Sequence, residues 1–92
     1  MNMTVISDSD RPRLADKARL KWDATREKHL LLFPEGLLIL NKTAHAVLAL
    51  CDGRRTILEI SKELEEQYHA HALGTDVREI LQRLLDKRLV TF

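Results

Sequence analysis

The sequence predicts an α+β fold, a winged-helix-like domain in which a three-stranded antiparallel sheet is followed by three helices. Three observations carry this expectation. The chain has 92 residues, enough for one hydrophobic core and not for two. Between residues 18 and 40 the apolar residues come in short runs separated by turn-forming residues, as strands do. Beyond Asn41 they recur at spacings of three and four, as the buried stripes of helices do. A sheet first and helices after, joined by short turns, make two layers about one core.

Residues 1–12 mix small polar residues with Asp and end at Arg11-Pro12. They offer no face to bury and read as a flexible N-terminal segment, so residues 13–92 are expected to form the single domain. Ala18, Leu20 and Trp22 alternate with Arg19 and Lys21, the period-two pattern of a half-buried strand that would anchor Trp22 in the core. The polar stretch 23–27 separates this strand from a second at His29 to Phe33, completing a hairpin. Pro34-Glu35-Gly36 joins a residue of fixed negative φ to one tolerant of positive φ. The chain reverses there into a third strand, Leu37-Leu38-Ile39-Leu40.

Ala44, Val47, Leu48 and Cys51 stand at i, i+3, i+4 and i+7 behind Asn41 or Thr43 as a cap, which predicts a first helix ending at Asp52-Gly53. Thr56-Ile57-Leu58-Glu59 has the form of a capping box, opening a second helix with Ile57, Ile60, Leu64 and Tyr68 on one face. Gly74-Thr75-Asp76 interrupts the pattern, and Val77, Ile80, Leu81, Leu84 and Leu85 stripe a third helix ending near Lys87. Leu89-Val90-Thr91-Phe92 adds a short terminal strand.

Composition narrows the function. Hydrophobic residues are 45% and charged residues 32% of the chain, the balance of a folded domain. Fifteen basic against 14 acidic residues leave +1, without the surplus that phosphate binding exploits. A winged-helix DNA-binding regulator is the rival reading, with the third helix in the major groove. Between Asp76 and Arg88, however, Arg78, Arg83, Lys87 and Arg88 are nearly balanced by Asp76, Glu79 and Asp86, so no nucleic-acid partner is expected. The single Cys51 excludes a disulfide framework and any Cys-x-x-Cys motif. With neither a signal peptide nor an apolar run of ~18 residues, a cytoplasmic chain without a membrane partner is expected.

No nucleophile, base and orienting partner converge in the sequence, which argues against an enzyme. Cys51 falls on an apolar stripe and reads as a buried structural thiol. His69-Ala70-His71 lacks the three or four ligands a metal site needs, and His69 better suits the partial negative charge at a helix end. His29 and His45 look isolated, and no Gly-rich phosphate loop exists, so neither metal nor cofactor is expected. The runs Leu30 to Phe33 and Leu37 to Leu40 are apolar throughout. Strands covered on one side alternate, so these demand cover on both faces, from the N-terminal segment, a homodimer mate or another chain. Residues 37–41 lie on a sheet edge without Pro or charge to blunt it, the geometry that accepts an added peptide strand.

Several strings carry a family resemblance. They are Phe33-Pro34-Glu35-Gly36, Leu40-Asn41-Lys42-Thr43-Ala44, Leu48-Ala49-Leu50-Cys51-Asp52-Gly53-Arg54-Arg55-Thr56 and Glu59-Ile60. With Arg19-Leu20-Lys21-Trp22 and Leu84 to Val90, they resemble the pyrroloquinoline quinone (PQQ) biosynthesis protein D family from Arg13 to Phe92. Arg88 stands where that family usually has Gly before Leu-Val. The resemblance implies a non-catalytic peptide chaperone, a RiPP recognition element. It would bind the ribosomal precursor peptide of the PQQ pathway and present it to the radical S-adenosylmethionine (radical SAM) enzyme that crosslinks a Glu and a Tyr of that peptide. The iron–sulfur cluster and S-adenosylmethionine would then belong to that enzyme. By the same resemblance the peptide would pair with Leu37, Leu38, Ile39, Leu40 and Asn41, over a groove walled by Arg78, Leu81, Gln82 and Leu85.

Overall fold

The alternation and turn chemistry of residues 18–40 produce the expected sheet. A computed structural model, describing residues 6–92, has the order β1 (Arg13–Leu14), β2 (Arg19–Asp23), β3 (Lys28–Phe33), β4 (Gly36–Leu40), α1 (Lys42–Ala49), α2 (Ile57–Tyr68), α3 (Gly74–Asp86) and β5 (Val90–Thr91). Strands β2, β3 and β4 form an antiparallel sheet in that order. Leu20 pairs with Leu31 and Leu31 with Leu38, while Trp22 pairs with His29 and His29 with Leu40. Because side chains alternate, these residues and Phe33 share the face turned to the helices. Arg19, Lys21, Asp23, Lys28, Leu30, Leu32, Leu37 and Ile39 share the outer face.

The core lies between the inner face and the helices. Leu31 and Leu40 meet Val47 and Leu48 of α1, Ile57, Ile60 and Leu64 of α2, and Val77, Leu81 and Leu84 of α3, all buried. Trp22 departs from its expected role as a core anchor. It is on the inner face but at the rim, 51% exposed, with its ring 4.7 Å from that of His29.

The helix ends follow the local signals. Asn41 Oδ1 accepts from Ala44 N at 2.8 Å and starts α1. Thr56 and Glu59 close the capping box of α2 with bonds of 3.1 and 2.8 Å. Between these helices Gly53 takes φ 78°, beyond the reach of most side chains, with its N–H donated to Pro12 O. At the end of α3, Leu89 N donates to Leu84 O and Arg88 N to Leu85 O, both at 2.9 Å. This is a Schellman closure with Arg88 left-handed at φ 61°, where a side chain is strained.

The fold starts earlier than the sequence suggested. Residues 1–5 of the expected flexible segment lie outside the described residues, but residues 6–12 pack on the helices. Ile6 is buried in the core, and the carbonyls of Asp10 and Asp8 accept from Ile57 N and Leu58 N at 2.9 and 3.0 Å. Those are first-turn amides of α2 that no helical carbonyl can reach, so the segment completes the helix start. The terminal strand is present as β5, and it pairs with β1, a two-residue strand too short to leave a periodic signal.

Candidate functional site

The free edge of the sheet is β4. Its turn to β3 contains only Pro34 and Glu35, so Phe33 and Gly36 close the hairpin as a hydrogen-bonded pair. Pairs alternate along an antiparallel ladder, so Leu31–Leu38 and His29–Leu40 are also bonded pairs, whereas Leu37 and Ile39 turn their backbone N–H and C=O away from β3. These outward groups are what an incoming strand would pair with. Leu38 and Leu40 point inward and Leu40 is buried; Leu37 and Ile39 are 44% and 57% exposed. Strand β4 therefore alternates after all, and its outer side chains remain uncovered among the described residues. Asn41, the last residue expected at this edge, uses its side chain to cap α1.

Two cavities are lined by residues flanking β4 together with residues from the two ends of α3. One, of about 210 Å³, is lined by Lys42 and Thr43 just past β4 and by Tyr68, Leu73, Asp76 and Val77. The other, of about 470 Å³, is lined by Phe33, Pro34 and Glu35 just before β4 and by Lys87 and Arg88. At 3.6 residues per turn, Asp76, Ile80, Arg83 and Lys87 share one flank of α3, and its end residues Asp76 and Lys87 line one cavity each.

The four wall residues expected from the sequence spread over one flank and the buried face of α3. Arg78 and Gln82 occupy the opposite flank of α3, where Arg78 meets Asp8 at 2.8 Å and Gln82 bonds Asp86 at 3.0 Å. Leu85 packs half-buried against the core, and Leu81 is fully buried at its centre. The N-terminal segment reaches the Arg78 flank of α3 through the Asp8–Arg78 pair.

A second feature escaped the sequence. His29 on β3 and His45 on α1 stack with ring centroids 3.5 Å apart and planes 13° apart. They border a cleft with Glu27, Lys42 and Tyr68 at the end of β4, and Lys42 Nζ sits 5.4 Å from the centre of the Tyr68 ring. Burial, and secondly the charge of His29, hold the His45 pKa below 6.5. The two residues are sixteen positions apart on different elements, so only the pairing of sheet and helix reveals them.

Cys51 is buried, donates to Val47 O at 3.3 Å, and has its pKa pushed up to about 12 by burial and then by the Asp52 charge. Such a thiol is a poor nucleophile at neutral pH. Among the described residues no three His, Cys, Asp or Glu side chains gather to hold a metal ion, and no helix is long and apolar enough to cross a membrane.

Comparison with known proteins agrees with this architecture. The family model "Coenzyme PQQ synthesis protein D (PqqD)" matches residues 28–90. The "PqqA binding protein" of Bradyrhizobium diazoefficiens is 41% identical over 88 residues, covering 94% of this chain and 85% of that one. The solution structure of the PqqD truncation of Methylobacterium extorquens PqqCD, described as a functional and stand-alone RiPP recognition element, superposes with a TM-score of 0.84 at 40% identity and covers 97% of each chain. The crystal structure of PqqD from Xanthomonas campestris gives a TM-score of 0.61 at 32% identity, over 96% of this chain and 100% of that one. With its sheet, its helices and most of its length in common with these proteins, the chain belongs to the coenzyme PQQ synthesis protein D family.

Proposed function

We propose that this protein is a non-catalytic peptide chaperone of PQQ biosynthesis, binding the ribosomal precursor peptide and delivering it to the radical SAM enzyme of the pathway. The observation that carries the reading is the β4 edge, whose Leu37 and Ile39 backbone groups point outward, in a chain related to a PqqA binding protein. Strand addition supplies affinity through main-chain hydrogen bonds, and the flanking pockets select side chains. We place the groove at Leu37, Leu38, Ile39, Leu40 and Asn41 on the strand and its α3 wall at the flank of Asp76, Ile80, Arg83 and Lys87, whose end residues line the cavities beside β4. Binding orders a flexible peptide and raises its effective concentration beside the enzyme's active site, so the chaperone accelerates by delivery.

A backbone-amide NMR titration with the precursor peptide, with a random DNA duplex as control, tests this. Shifts confined to residues 36–41 and the Asp76–Lys87 flank, with peptide only, are expected. A salt-sensitive response to DNA without a response to peptide would overturn the reading in favour of a nucleic-acid binder.

A further inference from the structure

We infer that the outer face of the sheet is a second binding surface, and that its occupant is an apolar patch ringed by carboxylates on the enzyme that modifies the bound peptide. This rests on the proposed function. The register places Leu30, Leu32, Leu37 and Ile39 on the face turned away from the helices, and none of the four belongs to the main core cluster. An antiparallel sheet covered on one side ordinarily shows polar residues on the other, so an apolar outer face marks a site of contact. Leu30, Leu32 and Leu37 line an open cavity of about 550 Å³ together with residues of β2 and the β2–β3 turn, and Leu37 with Ile39 beside it presents the exposed apolar surface.

Charge decides between occupants. Arg19, Lys21 and Lys28 lie on this face and make no ion pair among the described residues. The face's one carboxylate, Asp23, is taken up by the N–H groups of Thr25 and Arg26 and by the Arg26 guanidinium. A second copy of this chain docked symmetrically would set these cations against their equivalents. A surface rimmed by Asp and Glu would complement them and be drawn in at low salt. Leu37 and Ile39 also belong to the strand whose edge takes the peptide, so a protein seated here lies directly beside the captured segment.

The test uses calorimetry of the whole chain against the pathway's radical SAM enzyme and, separately, against the precursor peptide. The variants are Arg19→Glu with Lys21→Glu, and Leu32→Asn, all off the β4 edge. Enzyme affinity is expected to fall about tenfold in each while peptide affinity stays within about twofold, and wild-type enzyme affinity is expected to weaken with added salt. Unchanged enzyme affinity in variants that keep the native amide spectrum would overturn the inference. Loss of a concentration-dependent dimer in Leu32→Asn, seen by sedimentation, would also overturn it by making a second copy the occupant. If the wild-type chain binds the enzyme through this face but ignores the peptide, the proposed function fails and the surface stands.

Discussion

The His45 imidazole on α1 lies flat on that of His29 on β3, 3.5 Å between centroids, fastening the first helix to the sheet at the end of the free edge. Burial, and secondly the neighbouring His29, hold the His45 pKa below 6.5, so the contact favours a neutral His45. An unfolded chain takes up that proton near 6.5 and the folded chain only at lower pH. The unfolded state therefore binds more protons between the two values, and stability is full above 6.5 and lost as pH falls below it. Urea midpoints should drop between pH 7 and about 5.5 in the wild type and less steeply in His45→Gln. The carboxylates of Asp52 and Glu59, held below their ordinary values by hydrogen bonds from nearby backbone amides, affect stability only in a more acidic range.

Ile39 turns its N–H away from β3, so proline there removes a donor from the free edge and none from the sheet. Ile39→Pro should lower peptide affinity at least about tenfold, or ~1.4 kcal/mol. Hydrogen exchange at β3 amides should remain near wild type, which separates a lost edge from an unfolded sheet.

The two flanks and the centre of α3 give different phenotypes. Arg83→Glu changes the flank that we place at the groove wall and should reduce peptide binding several-fold with an unaltered urea midpoint. Gln82→Ala, on the opposite flank, should leave both unchanged. Leu81→Ala opens a cavity in the core and should cost about 2–5 kcal/mol of stability. Paired denaturation and calorimetry on the three variants check the assignment.

Arg88 holds a left-handed backbone at φ 61° in the closure of α3. A side chain there costs roughly 1–2 kcal/mol in conformation, partly offset by the larger unfolded-state entropy of glycine. Arg88→Gly should raise stability by about 0.5–1 kcal/mol in urea melts, and Arg88→Ala should not.

Deleting residues 1–12 removes the burial of Ile6 and the two carbonyls that receive Ile57 N and Leu58 N. The truncated chain should lose about 2–4 kcal/mol of stability. Faster amide exchange in the first turn of α2 would locate the loss.

Most of the fold was legible in the sequence because local chemistry fixes it. The Thr56–Glu59 capping box, the Asn41 cap and the Pro34-Glu35 turn each form from residues within three positions of one another. The edge strand was legible for the same reason, since its neighbours are set by two short hairpins. What each flank of α3 touches was not. Arg78 and Arg83 are equally good amphipathic-flank residues, and their roles separate only when Asp8, seventy positions before Arg78, takes one side. Trp22 shows a further limit: alternation gives its face correctly, but not that its ring stays half exposed beside His29. The apolar runs in β3 and β4 were read as a need for cover, whereas the structure leaves Leu37 and Ile39 uncovered.

Strands β1 and β5 pair Arg13 with Thr91 and Leu14 with Val90, so both limbs of the backbone meet at one spot. Residues 6–12 lead into that spot from the start of α2, with Ile6 in the core, so the pair ties the last strand to the segment that completes that helix. The β4 edge belongs to a different sheet from this pair. Closure of the fold at its two ends and the free edge therefore use separate strands.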